Sequence, residues 1–332
     1  MKRTLMHSAT RRTLLGLALS GLVLGSVTPG TALAQDFPSK MITFVVPFGA
    51  GGNGDIVARL LAEGMTQRLG QTVVVENVTG AGGLIGAAKV KQARADGHTI
   101  MLSNNSMTVA AALNPDSPVD MDKDFDHISQ LTSSYSVLVA PGNSKFDTLA
   151  EIIEHAKANP GQMIYASTGV GSGAHLQTAL INYLAGLDMV HVPYDGAPQA
   201  TTDLIAGRAE LLWLNVATVL PLIESKQIKG IAIAAPNKLE ATGDIPPVAD
   251  TLPEFEYNNW LAISAPKGLP EEVKAKLNVV IGEILAEPKI HDKLLELGQF
   301  PAASTPEEIA GTAAALGKKW VEVAEKSGLQ LQ

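Results

Sequence analysis

Pro47-Phe48-Gly49-Ala50-Gly51-Gly52-Asn53-Gly54-Asp55 joins an apolar run, Met41 to Val46, to a helical pattern that begins near Ile56. A strand that enters a helix through glycines leaves backbone N–H groups unpaired at the helix N-terminus. Those groups and the helix dipole together attract an anionic oxygen. The loop is therefore the first candidate binding element, and Asp55 at its end reads as the helix N-cap. Gly49, Gly51 and Gly54 also spell G-x-G-x-x-G, and Glu76 closes the next apolar run, Thr72 to Val75, about where a ribose-binding acid stands in a dinucleotide fold. Which anion the loop holds depends on the rest of the chain.

Around this loop, short apolar runs alternate with helical patterns: Ile42 to Val46, Ile56 to Leu69, Val73 to Val75, Ile85 to Gln92 and Thr99 to Ser103. A second series runs Ser136 to Ala140, Thr148 to Ala158, Met163 to Ala166, Ala174 to Ala185, Met189 to Val192, Ala197 to Ala206 and Leu211 to Asn215. After Trp260 to Ser264 come three helices that each open on a proline, Pro270, Pro288 and Pro306. Alternation of this kind predicts an α/β protein with two parallel-type units. Leu131 to Ala140 and Tyr257 to Ser264 each join a complete unit to the other, so the chain is expected to cross twice. The expected division is residues 35–136 plus 258–332 for one lobe and 137–257 for the other. Ligands of open α/β sheets lie beyond the C-terminal strand ends, and two facing sheets would share one cleft with a two-stranded hinge, a geometry that suits a closing binding protein.

Residues 1–34 read as a cleavable export signal. Lys2, Arg3, Arg11 and Arg12 precede an apolar stretch from Leu14 to Val27 and the small-residue site Ala32-Leu33-Ala34, which makes Gln35 the expected first mature residue. Thr10-Arg11-Arg12-Thr13-Leu14-Leu15 resembles a twin-arginine signal, although an ordinary secretion signal also carries paired arginines. Removing the segment moves the formal net charge from -8 to -12. An acidic surface argues against nucleic acid and anionic lipid as partners. The chain has no cysteine, which excludes disulfides, thiolate nucleophiles and cysteine-ligated metals.

Other stretches complete a pattern: Phe37-Pro38-Ser39-Lys40, Asp55-Ile56-Val57-Ala58-Arg59, Val74-Val75-Glu76-Asn77, Gly80-Ala81-Gly82-Gly83, Tyr165-Ala166-Ser167, Gly171-Ser172-Gly173-Ala174-His175-Leu176, Val190-His191-Val192-Pro193-Tyr194 and Ser304-Thr305-Pro306-Glu307-Glu308. With the glycine loop and in this order, they resemble the periplasmic solute-binding receptors of the tripartite tricarboxylate transporter, or Bug, family from Phe37 to about Leu329. The resemblance implies a two-domain periplasmic binding protein (Venus flytrap) fold, no enzymatic activity, no cofactor, a small organic acid as ligand and membrane transporter subunits as partners. It also implies that the Phe48 to Asp55 loop and the Ser167 to His175 segment grip the acid from both lobes, largely with backbone amides and waters. Nothing in the sequence signals an oligomer, so a monomer is expected.

The candidate ligand residues are Phe48, Gly49, Ala50, Gly51, Gly52, Asn53 and Asp55 from the first loop, with Asn104 after the Thr99 to Ser103 strand. Ser167, Thr168, Gly171, Ser172 and His175 come from the second segment, and Asp195 and Asn215 follow later strands. Individually, Ser167, Thr168 and Ser172 also fit turn and capping roles, His175 fits a packed imidazole, and Gly80 to Gly83 fit a turn that admits a close helix. Two residues depart from the family pattern: Asp195 stands where a base is common, and Trp213 falls in a stretch that is often acidic or small and polar. An enzyme reading lacks its parts. Val170 occupies the first glycine position of a G-x-S-x-G elbow, and His98, His127, His155, His175, His191 and His291 show no metal-ligand spacing. A periplasmic sensor feeding a membrane signalling protein would carry the same pocket, and a dinucleotide-dependent enzyme is the remaining alternative.

Overall fold

The computed structural model describes residues 37–327. The export signal expected over residues 1–34 lies outside the described residues. The chain opens with β1 (Ile42–Val46), α1 (Asn53–Leu69), β2 (Val73–Asn77), α2 (Leu84–Lys91), β3 (Thr99–Asn104), α3 (Asn105–Leu113) and β4 (Phe125–Ser134). It continues with β5 (Ser136–Pro141), α4 (Leu149–Ala158), β6 (Ile164–Ser167), α5 (Gly173–Ala185), β7 (Val190–Pro193), α6 (Ala197–Ile205), β8 (Leu212–Asn215), α7 (Val216–Glu224) and β9 (Ile228–Ile233). It closes with β10 (Asn259–Pro266), α8 (Glu271–Leu285), α9 (Pro288–Glu296), β11 (Phe300–Pro301) and α10 (Pro306–Ser327).

The first sheet has the order β2-β1-β3-β10-β4-β11. β1 is parallel to β2 and β3, whereas β10 is antiparallel to β3 and β4. In the second half, β6 pairs with β7 in parallel and β5 lies antiparallel between β8 and β9. A parallel bridge from Tyr165 to Leu211, with Ala166 N–H donating to the Leu211 carbonyl at 2.8 Å, sets β6 beside β8. The second order is thus β7-β6-β8-β5-β9, and it repeats the first apart from the extra edge strand β11: two strands parallel to a central one, then an antiparallel strand, then one more. In each half the antiparallel strand is the one by which the chain has just arrived from the other half.

The first crossing is shorter than the sequence suggests. The expected Leu131 to Ala140 strand is broken at Tyr135, with β4 in one sheet and β5 in the other. Four further elements, α3, α7, β9 and the two-residue β11, were not visible in the sequence pattern. α3 starts directly after Asn104, where polar residues follow the strand and hide a helix. α7 carries Pro221 in its interior, which disguises a helix. β9, Ile228–Ile233, completes the second sheet.

Local chemistry accounts for the element ends. α4 begins with a capping box in which Thr148 and Glu151 satisfy each other's backbone N–H groups. α1 and α5 end on Gly70 and Gly186, both left-handed at φ 69° and 64°. The two halves also share apolar packing. Val109 of α3 and Trp320 and Val323 of α10 lie in the same buried cluster as Leu176 and Leu180 of α5 and Trp213 of β8. Burying each such large side chain contributes roughly 1.5–3 kcal/mol, so α10 ties both halves together. No helix among the described residues is long and apolar enough to cross a membrane.

Candidate functional site

The order of the first sheet makes the C-terminal ends of β1 and β3 the place where the chain turns to opposite sides, the usual ligand crevice of an α/β sheet. After β1, Pro47 is buried, and the Phe48 carbonyl accepts a hydrogen bond from Asn77 Nδ2 at 3.0 Å. Gly49, Ala50, Gly51, Gly52 and Asn53 are exposed. Gly51 has φ 80°, and a side chain at Gly49 or Gly51 would meet nothing within 4 Å. The loop therefore presents its backbone to open space.

Asp55 is not the helix cap. Gly52 is, without a side-chain cap, and Asp55 lies three residues further on, 3% exposed. Its carboxylate accepts from Gly51 N–H at 2.9 Å, Arg59 Nε at 2.9 Å and Asn77 Nδ2 at 2.9 Å. The Arg59 hydrogen bond, opposed by burial and aided by Gly51 and Asn77, lowers the pKa from 3.8 to about 2. Asp55 thus fixes the loop and presents no carboxylate to a ligand. Arg59 and Asn77 share this work. Both stood in the motifs quoted above, and only their geometry separates them from ligand contacts.

The second junction, β6 to α5, is built on the same plan. Ser167 is fully buried, with Oγ 2.6 Å from His191 Nε2 and 3.0 Å from the Gly169 carbonyl. Gly169 and Gly171 take φ 128° and 75°, and Ser172 caps α5 by accepting from His175 N–H at 3.3 Å. His175 is buried, and its Nδ1 accepts Gly171 N–H at 3.1 Å. The packed-imidazole alternative is the one realised. The His175 ring stacks on His191 with centroids 3.9 Å apart and an angle of 3°. Burial, and then the neighbouring His191, lowers the His175 pKa to about 4, and burial lowers that of His191 as well. His175 is therefore uncharged at neutral pH.

Asn104 is half-buried and caps α3, accepting Met107 N–H at 2.9 Å. Asn105 Nδ2 donates to Tyr257 Oη at 2.8 Å, where α3 meets the start of β10. Asn215 caps α7 and lies against Gly298, in the turn between α9 and β11. Asp195 is exposed in the turn before α6, and Tyr194 N–H donates to the Ser167 carbonyl at 3.0 Å beside it. Thr168 is half-buried.

A cavity of about 440 Å³ has walls from both halves: Ala81, Gly82 and Leu84, then Ser106, Ala110, Leu113 and Asn114 along α3, and Val170 and Gly171 of the second junction. Of the predicted ligand residues only Gly171 lines it. The Gly80 to Gly83 turn forms one wall, and Gly83 and Gly86 pack their backbone against Pro47 at the root of the first loop, as expected for a turn that admits a close helix. A larger cavity of about 800 Å³ lies along α3, Asp120 to Asp124 and α10. It contains none of the strand-end loops, so its size does not make it the site.

Comparison with known proteins decides the family. The sequence matches the tripartite tricarboxylate transporter family receptor over residues 57–329. The chain belongs to this receptor family. It is 32% identical over 320 residues to protein BugT of Bordetella pertussis, covering 95% of this chain and 98% of that one. Among solved structures, MatC from Rhodopseudomonas palustris with bound malate superposes with a TM-score of 0.72 at 30% identity, covering 86% of this chain and 99% of that one. Rpa4515 of R. palustris with adipate gives 0.75 at 28%, covering 88% and 99%. The receptor has the two-domain periplasmic binding protein fold, and its family is one of periplasmic solute-binding receptors rather than enzymes.

In the receptor the dinucleotide features have other uses. Gly51 N–H is held by Asp55, and Glu76 pairs with Lys89. Trp213 does not face the strand-end loops. It is buried, its Nε1 donates to Thr178 Oγ1 at 3.0 Å, and its ring stacks near Phe255 at 6.1 Å. Trp213 is thus a core side chain.

Proposed function

We propose that the receptor captures a small organic acid between the Phe48 to Asp55 loop and the Ser167 to His175 segment, and hands it to membrane subunits of a tripartite tricarboxylate-type transporter. One observation supports this most: of two strand-to-helix junctions of the same construction, one from each sheet, the second lines a cavity through Val170 and Gly171, and the opposite wall is the Gly80 to Gly83 turn that packs on Pro47 at the root of the first. Both offer backbone N–H groups and small residues, the donors that hold a carboxylate without a cation. Gly49 to Asn53 supply the open face, Thr168 to Ser172 the opposing one, and Asp195 stands at the rim. The malate and adipate in related structures are acids of the expected kind. On this reading the lobes are residues 35–136 with 258–332 and residues 137–257, hinged at Tyr135 and ahead of Asn259. The mature protein begins at Gln35 in the periplasm and works as a monomer.

Thermal shift of the mature protein against organic acids tests the proposal. A ligand at 100 times its Kd adds about 2.7 kcal/mol, which is several degrees for a chain of this size. The matching amides should shift the transition far less. Equal shifts from an acid and its amide would remove the carboxylate from the reading.

A further inference from the structure

The walls of the 440 Å³ cavity say more about the ligand than the loops do. Its volume lies within the roughly 300–1,000 Å³ range of small-molecule sites. Ala81, Leu84, Ala110, Leu113 and Val170 line it with hydrocarbon, and Gly82 and Gly171 add bare backbone. Ser106 and Asn114 are its only polar side chains, and Asn114 Oδ1 already accepts Asp116 N–H at 3.0 Å. Val170, opposite α3, is 49% exposed, an apolar side chain left uncovered at the cavity mouth.

No cation is near in the sequence of these segments. Lysine and arginine are absent between Arg94 and Lys123 and between Lys157 and Arg208, the stretches that supply α3 and the Val170 loop. They are also absent from residues 41–58 and 69–88, which supply both glycine segments. Arg59, the first cation after the loop, is turned onto Asp55 and Asn77. A carboxylate placed among Leu84, Ala110, Leu113 and Val170 would lose its hydration against hydrocarbon, and no lysine or arginine lines the cavity to compensate. A hydrocarbon tail in the same place gains by leaving water.

We infer that this cavity holds the uncharged tail of the ligand, so that the receptor selects acids with a single carboxylate and an aliphatic or aromatic tail over di- and tricarboxylates. This rests on the proposed capture of a carboxylate at the strand-end loops and specifies what lies beyond it. The selectivity comes from what the wall lacks. A second anionic group is disfavoured because it would give up its water against hydrocarbon with no lining cation to compensate, whereas the first keeps its backbone N–H partners.

A matched pair isolates this effect: hexanoate and adipate share a six-carbon chain and differ in whether its far end is methyl or carboxylate. Titration calorimetry of the mature protein should give hexanoate at least tenfold tighter than adipate. Benzoate should bind, and benzamide should not. Val170→Lys places a cation at the mouth on a half-exposed side chain and should reverse the hexanoate–adipate order. Ala110→Leu narrows the cavity and should weaken hexanoate and benzoate at least tenfold while circular dichroism remains that of the unmodified protein. Adipate equal to or tighter than hexanoate in the unmodified protein, or an unreversed order in Val170→Lys, would overturn the tail assignment and leave carboxylate capture standing. Binding of benzamide as tight as benzoate, or of no acid at all, would overturn carboxylate capture and the tail assignment with it.

Discussion

Asp55→Asn separates the charge of the buried carboxylate from its shape. Three donors converge on the two oxygens: Gly51 N–H, Arg59 Nε and Asn77 Nδ2, each at 2.9 Å. An amide has one oxygen, so at least one donor is left facing NH2. Leaving a buried donor unsatisfied costs about 1–3 kcal/mol. The pKa gives an independent figure. A fall from 3.8 to about 2, at 1.36 kcal/mol per unit, corresponds to about 2–3 kcal/mol in favour of the ionised native state. The side chain is 4% exposed, so solvent screening discounts this little, while the half-exposed Arg59 keeps the cost below that of a fully buried broken pair. Urea unfolding should therefore place Asp55→Asn about 2–3 kcal/mol below the unmodified protein at pH 7. Because the native pKa is depressed, the carboxylate's contribution is complete above pH 4 and fades as the pH falls from 3.8 toward 2, with about half remaining at pH 3. The gap between the two proteins should narrow over that window. A gap under 0.5 kcal/mol at pH 7, or one unchanged at pH 3, would refute the role given to Asp55.

His175 has a depressed pKa of about 4, so the neutral ring stabilises the native state above pH 6.5 and that stabilisation is lost as pH falls toward 4. His175→Phe should flatten the stability–pH curve in that range, with the slope that remains coming from His127, whose pKa burial also lowers to about 4, and from His191, which burial lowers too; an unchanged slope would contradict the assignment. Asp195→Lys replaces an exposed rim carboxylate, and calorimetry should show adipate or citrate gaining affinity while hexanoate changes little, the gain shrinking in high salt. Gly86→Ala places a Cβ 2.8 Å from the Val78 carbonyl and the Pro47 side chain, so chemical denaturation should show a loss of about 1–3 kcal/mol, and an unaltered midpoint would show that this contact yields freely.

The strand–glycine–helix junctions, the alternating α/β order and the two chain crossings were legible in the sequence, because apolar periodicity and glycine placement are local properties that the sequence states directly. Capping was legible at Ser172, where a hydroxyl precedes a helix, and misread at Asp55. The sequence gives the order of Gly52 and Asp55 but not the approach of Arg59 and Asn77, and that approach turns a candidate cap into a buried strut. The same limit applies to His175 and His191. They are sixteen residues apart in the chain, and their stacking exists only because β6 and β7 pair in parallel, with Tyr165 opposite His191. Trp213 read as unlike the family pattern, and register on β8 points it into the core. Sequence alone thus determined the compartment expected, the fold class and the glycine-rich character of the two strand-to-helix junctions. Tertiary structure decided which polar groups were already spent on each other, and it assembled the apolar cavity, whose lining comes from three segments distant in the chain and so has no signature in any one of them.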